Sequence, residues 1–160
     1  MTFDNSKKII SFRINLFFVT MLALAWLAVV YIIKLIKFPL LGIEDGIWTL
    51  AVVAIWVIVA FLPMILNYQF VYFSDDGDNI VFRYFTAGIV AGKKNSVEIN
   101  KNKFGGFKVE KQLFGLSRSI ILYQKAGQGT AKYPPIHISA LTKEQRKKML
   151  YSLSQYVAQA

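Results

Sequence analysis

The sequence contains no cysteine and a single histidine, His137. The first absence excludes disulfides, thiolate metal sites and cysteine nucleophiles. One imidazole without thiols gives zinc too few of its usual ligands. Acidic residues are also scarce: nine Asp and Glu stand against 19 Lys and Arg, for a formal net charge of +10. No serine-nucleophile motif or phosphate-binding lysine loop is present. Gly127-Gln128-Gly129 lacks the helix that follows a dinucleotide fingerprint, and Gly105-Gly106 reads as a bend. Asp75, Asp76 and Asp78 lack the spacing and terminal glutamate of a calcium loop, so they read as a hairpin turn. Nothing in the spacing of Glu98 and Glu110 pairs them. His137 sits between Ile136 and Ile138, and strand alternation turns it away from their shared face, toward solvent or a local hydrogen bond. No catalytic, cofactor or metal residue emerges. The expectation is a protein that is not an enzyme and carries no cofactor.

Charge is missing altogether from two long runs, Ile14 to Ile33 and Ile47 to Leu66. At 1.5 Å per residue, a helix of such a run is about 30 Å long, the thickness of the hydrocarbon core of a bilayer. A backbone at that depth must satisfy its own hydrogen bonds, so each run is read as a transmembrane helix. The remaining chain is too short to wrap two all-round apolar helices as a soluble core. Lys7, Lys8 and Arg13 precede the first run as in a signal peptide, and Ala23-Leu24-Ala25 resembles a cleavage site. The chain nevertheless stays apolar through Val30, so an uncleaved anchor is expected.

Lys7, Lys8, Arg13 and Arg83 flank the outer ends of the pair, against Lys34 and Lys37 in the short connection. The positive-inside rule therefore places both termini in the cytoplasm. Pro39 and Gly42 are expected to break the first helix, and Pro63 to kink the second near its end. Trp48, Tyr31 and Tyr68 fall where interfacial aromatics are favoured. Trp26 and Trp56 fall near the middle of their runs. They read first as apolar filler facing lipid; the alternative is a packing role, because an indole N–H in hydrocarbon wants a partner. Small residues (Thr20, Ala23, Ala25, Ala28, Ala51 and Ala54) offer a seam for close helix approach.

Beyond Leu66 the pattern changes to strands and turns. Fourteen Lys and Arg against six Asp and Glu leave this part at +8. Strands are expected at 69–73, 79–85, 97–100, 107–110, 120–123 and 133–138, with a further one around Ala87 to Gly92 and a glycine-containing link over 126–130. The last segment is a helix. Thr142 and Gln145 form a capping box, and Met149, Leu150, Leu153, Tyr156 and Val157 share one face. Its first turns carry Lys143, Arg146, Lys147 and Lys148, the wrong end for the helix dipole. Solvation explains that placement, or else an anionic surface nearby.

The expected organisation is a membrane hairpin over 1–66 (spans 14–33 and 47–66), then a basic antiparallel β domain over 67–160 capped by a C-terminal helix. With the ending Pro135-Ile136-His137-Ile138-Ser139-Ala140-Leu141-Thr142-Lys143-Glu144-Gln145, it resembles bacterial membrane proteins that carry a pleckstrin-homology-like domain, the YcxB-type group. The resemblance implies a PH-like fold and a scaffold or interaction module at the bacterial inner membrane. It supplies no ligand-contacting residues. The partners expected are the bilayer and another protein or a second copy, with an accessory subunit or a sensor of anionic lipid as alternatives. Lys93, Lys94, Lys101, Lys103, Lys108, Lys111, Lys147 and Lys148 are the candidate contacts to an anionic surface, with Arg118 close by in sequence. Phe104, Phe107 and Phe114 interleave with them as in single-strand nucleic-acid binders. Tethering to a membrane makes lipid head groups the nearer counter-charge.

Overall fold

The computed structural model describes residues 1–87, 92–127 and 129–157. It divides into two compact units, Ile10–Pro63 and Met1–Ile9 together with Met64–Ala160. The first unit is built from two helices. Helix α1 spans Ser6–Leu27 and continues through one π-helical turn, Ala28–Ile32; α2 spans Asp45–Ile65. Both are long and apolar enough to cross a membrane. Helix α1 begins eight residues before its apolar run because Lys7, Lys8 and Arg13 are good helix formers and stay solvent-exposed on its first turns. Its end owes nothing to Pro39 or Gly42. The ladder widens first, with Ile33 N–H donating to the Ala28 carbonyl (2.8 Å) and Leu35 N–H to that of Val29 (3.1 Å), and Lys34 then turns left-handed at φ 53°. Helix α2 starts on the Glu44 carbonyl, which accepts from Ile47 and Trp48. Pro63 lies inside it, buried.

The second unit opens with a strand that the sequence reading did not separate from the anchor. Thr2–Asp4 forms β1 and pairs antiparallel with β2 (Gln69–Ser74). Residues 1–9 thus group with the β unit, as does the chain from Met64 onward. Asn5 explains the attachment. It is buried, its amide donates to the Gln69 carbonyl (2.8 Å), and its carbonyl oxygen accepts from Val71 N–H (2.8 Å). A three-residue strand with one apolar side chain gives no periodic signal, which is why alternation did not reveal it.

Next come β3 (Asn79–Thr86), β4 (Asn95–Asn100), β5 (Phe104–Gln112), β6 (Ser117–Ala126), β7 (Gly129–Lys132), β8 (Ile136–His137) and the closing helix α3 (Lys143–Val157). They make two antiparallel sheets, one ordered β1-β2-β3-β4 and one ordered β5-β6-β7 with β8 also on β6. Two details differ from expectation. The strand anticipated over 133–138 is split, because Pro134 and Pro135 have no N–H for the ladder. Tyr133 and Ile138 on either side still donate to the β6 carbonyls of Leu122 and Arg118. The Gly105-Gly106 bend lies inside β5 as a bulge. A Cβ at Gly105 would stand 3.3 Å from the Tyr123 carbonyl oxygen, and Gly106 sits at φ +120°. The strand suggested around Ala87 to Gly92 falls mostly on residues outside the described ones.

Alternation builds the core. Val71, Phe73, Ile80, Phe82, Val97 and Ile99 from the first sheet meet Phe104, Ile120, Leu122 and Ile136 from the second, and Met149 and Leu153 of α3 close the gap. Fully burying a side chain of this size contributes roughly 1.5–3 kcal/mol. The capping box forms as expected: Thr142 Oγ1 accepts from Gln145 N–H (3.1 Å), and Gln145 Oε1 accepts from Thr142 N–H (3.0 Å). A smaller cluster joins Ile9, on the first turns of α1, to Tyr68, Phe70, Ala87 and Ala140.

Candidate functional site

The helical unit presents its apolar side chains outward. Only 6% of the most apolar stretch of the first helix, and 11% of that of the second, is buried. Its polar side chains do the opposite. Trp56 Nε1 donates to Thr20 Oγ1 (2.9 Å), Trp26 Nε1 donates to Thr49 Oγ1 (3.2 Å), and the Tyr31 hydroxyl lies 3.0 Å from the same Thr49 oxygen. Thr20 in turn donates to the Leu16 carbonyl (2.8 Å), which leaves its lone pairs for the indole. As the partner number rises along one helix it falls along the other, so the helices run antiparallel. These bonds correct the reading of Trp26 and Trp56 as lipid-facing filler: each is a half-buried clasp between helices. Of the expected small-residue seam, Ala25, Ala51 and Ala54 are exposed, Ala23 and Ala28 are half-buried, and Thr20 bridges the helices through Trp56, as Thr49 does through Trp26.

In the β unit the candidate basic residues are spread over several elements. Lys93 and Lys94 precede β4, and Lys101 and Lys103 occupy a 3-10 turn between β4 and β5. Lys111 lies near the far end of β5, whose first residue follows Lys103. Two members of the set have acidic partners: Lys108 pairs with Glu110 (2.9 Å) and Lys148 with Glu144 (2.9 Å). The first pair also explains Glu110, whose companion is this lysine on its own strand; Glu98 lies on the other sheet. Lys101 Nζ stacks 4.9 Å from the Tyr156 ring centroid, and Lys147 is exposed on α3. Nor is there an aromatic platform. Phe104 is buried and Phe107 packs on the core, so only Phe114 is left to face outward.

Around Phe114 the structure assembles something the sequence did not announce. Strands β5 and β6 are joined by a tight 3-10 turn, Leu113–Gly115. Leu113, Phe114 and Leu116 are 47%, 109% and 69% exposed, the most solvent-facing cluster of bulky apolar side chains in the β unit. Leu113 and Phe114 both have positive φ, 49° and 56°, where bulky residues are strained. At the root of the turn Lys111 and Arg118 are direct cross-strand partners, two like charges side by side. Arg146 of α3 joins them. Its guanidinium donates to the Leu141 carbonyl (3.1 Å), and burial, then the charge of Arg118, push its pKa down. Among the described residues none of these three cations has an acidic partner within ion-pair distance. Within the same unit Ser117 Oγ donates to the carbonyl of Leu66 (3.4 Å), the residue that follows α2 in the chain, and Ser139 links Ser117 to Arg118. Arg146 was visible in the sequence as one of several misplaced helix-start charges, but only the fold brings it to Arg118.

The acidic turn has a structural use. Asp75 and Asp76 receive the Met1 ammonium group, and the Ser152 hydroxyl donates to Asp75. Burial works to raise the Asp75 carboxyl; the ammonium and the hydroxyl outweigh it and hold it below the usual carboxylate range. His137 donates its backbone N–H to Gln69 Oε1 (2.8 Å), while its buried Nδ1 has no partner among the described residues. Among the described residues no three His, Asp or Glu side chains lie close enough together to hold a metal. No family model, curated protein or solved structure matches the chain.

Proposed function

We propose that the chain is a non-enzymatic, membrane-anchored interaction module. In this reading α1 and α2 cross the bacterial inner membrane as a hairpin with both termini in the cytoplasm, and the β unit is a PH-like domain presented at that face for a protein partner or a second copy. The observation that carries it is the inverted construction of the helical unit. Apolar side chains face outward over two membrane-length helices, and the indole N–H groups are satisfied between the helices. In water such an outer surface is an aggregation liability; in lipid it is the solvated face. Two antiparallel sheets closed by a C-terminal helix support the PH-like part.

Extraction of membranes at high pH tests the anchor: the protein is expected in the pellet, and its release into the supernatant overturns the reading. Reporter fusions at either end test the orientation. A mild-detergent pull-down tests the interaction role. Co-purification with a partner at fixed stoichiometry, or self-association, supports it, and a fixed set of membrane subunits favours the accessory-subunit alternative.

A further inference from the structure

We propose that the β5–β6 turn is a second membrane contact: Leu113, Phe114 and Leu116 dip into the lipid interface, and Lys111, Arg118 and Arg146 hold phospholipid phosphates at their root. The inference rests on the membrane-spanning reading of α1 and α2 and deepens it. Three independent features of the β unit point to one occupant, the bilayer itself. First comes position. Ser117 at the root of the turn donates to the carbonyl of Leu66 of the same unit, the residue that follows α2 in the chain. Second comes surface chemistry. Leu113, Phe114 and Leu116 stand out together from a strand pair whose Phe104, Ile120 and Leu122 face the core, and Leu113 and Phe114 keep that exposure from a strained left-handed backbone. A chain in water gains nothing by holding a phenylalanine outward in that conformation; a chain beside acyl chains does. Third comes charge. Lys111 and Arg118 face each other across the strands, Arg146 is close enough to feel Arg118, and among the described residues no carboxylate lies within ion-pair distance of any of the three. Guanidinium groups in that state fit phosphate oxygens, and apolar tip with cationic collar is the order of layers that an interface offers to anything entering it from water.

The geometry also separates this contact from a general basic face. Lys93, Lys94, Lys101 and Lys103 lie elsewhere, on the approaches to β4 and β5, and are not part of it. Depth is limited by the short turn, so the tip reaches the head-group and upper acyl region, about 5–10 Å in, and no further.

The absence of cysteine makes the test direct. The full chain, with Phe114→Cys, Leu116→Cys, Thr130→Cys or Leu22→Cys as its only thiol, is labelled with an environment-sensitive fluorophore and reconstituted in vesicles of phosphatidylcholine with a minority of phosphatidylglycerol. Quenching by lipids carrying a doxyl group high or low on the acyl chain then reports depth. The tip labels are expected to be quenched several-fold more than Thr130, on the exposed strand β7, and most by the shallow doxyl. Arg118→Glu combined with Lys111→Glu is expected to lower the tip quenching while leaving Leu22 unchanged. Leu22, exposed on α1, is expected to respond to the deep doxyl. If Leu22 responds and both tip positions behave like Thr130, the insertion is overturned while the anchor stands. If Leu22 itself is not quenched, the membrane-spanning reading has failed and the inference falls with it. Tip quenching that survives the double charge reversal overturns the phosphate-binding role of the collar.

Discussion

The two units of this chain are built inside out with respect to each other. In the β unit apolar side chains alternate inward and form a closed core, while charges face outward. In the helical unit Leu22 and Leu50 are exposed and the inward positions go to Trp–Thr hydrogen bonds. One chain thus carries two opposite arrangements of apolar surface, and on the proposed membrane reading the solvent each answers to is different. Burial drives the β unit. Between helices in lipid there is no such gain, and packing plus a few polar contacts must suffice. Mutations of the same chemical kind therefore have unequal consequences in the two regions.

The largest effect is expected at Leu153, fully buried where α3 meets both sheets. Leu153→Ala removes a packed side chain and typically costs about 2–5 kcal/mol, a large part of a small domain's stability. Leu153→Asp buries an unpaired charge and is expected to unfold the β unit. Leu22→Ala, the same truncation on the helical unit, removes a side chain that is 70% exposed and leaves no cavity. Thermal unfolding of the full chain in detergent checks the pair. Equal losses at the two positions would mean that one unit has been read with the wrong solvent.

Next in size is Asn5. Its side chain accepts from the buried Val71 N–H across more than sixty residues of sequence, so Asn5→Ala removes the acceptor of a buried donor, at about 1–3 kcal/mol. The expected outcome is a lower melting temperature of the β unit, with unchanged hydrogen exchange in the middle of α1 and α2. An unchanged melt would show that β1 is dispensable to the sheet it joins.

What was legible in the sequence follows the same division. Two uncharged runs of membrane length are a coarse signal and gave both helices to within a few residues at the connection. β-forming residue types gave β2, period-two alternation gave β3 and β4, and the Thr142–Gln145 capping box gave the start of α3 to the residue. Features made by two distant pieces of chain were not legible. The sequence gives no hint that Asn5 finds Val71, that Trp56 finds Thr20, or that Arg146 comes to Arg118. The apolar turn was also missed, for a different reason. Leu113, Phe114 and Leu116 look in sequence like ordinary core residues between two strands, and exposure is not a property of composition.

A smaller effect is expected for the clasp between the helices. Trp56→Phe keeps the ring and removes the donor to Thr20. Interhelical hydrogen bonds in membranes average about 0.6 kcal/mol and reach about 1.7. Unfolding of the hairpin by SDS in mixed micelles is expected to shift by that small amount, with Trp26→Phe shifting it similarly, while the β unit melts as before. A loss of several kcal/mol would mean that the indoles pack as well as bond.

The smallest and most selective effect is expected from pH, which has almost nothing to act on in the two apolar runs and one special group in the β unit. Burial pushes the His137 imidazole below its ordinary value near 6.5. Between that depressed folded value and 6.5 the unfolded chain binds a proton that the folded chain refuses, so stability rises with pH across the interval. The contribution of the neutral ring is complete above 6.5 and is lost as pH falls through the folded value. His137 is half-buried, so solvent moderates the effect. The paired carboxylates of Asp75 and Asp76, also held low, titrate in a separate and more acidic window. Melting of the β unit from pH 7 down to pH 5 is therefore expected to show a gentle decline in the parent that His137→Gln flattens, while hairpin unfolding stays level in both. If the decline persists in His137→Gln, another group of the β unit is responsible, and the unpartnered Nδ1 is not the proton acceptor that burial disfavours.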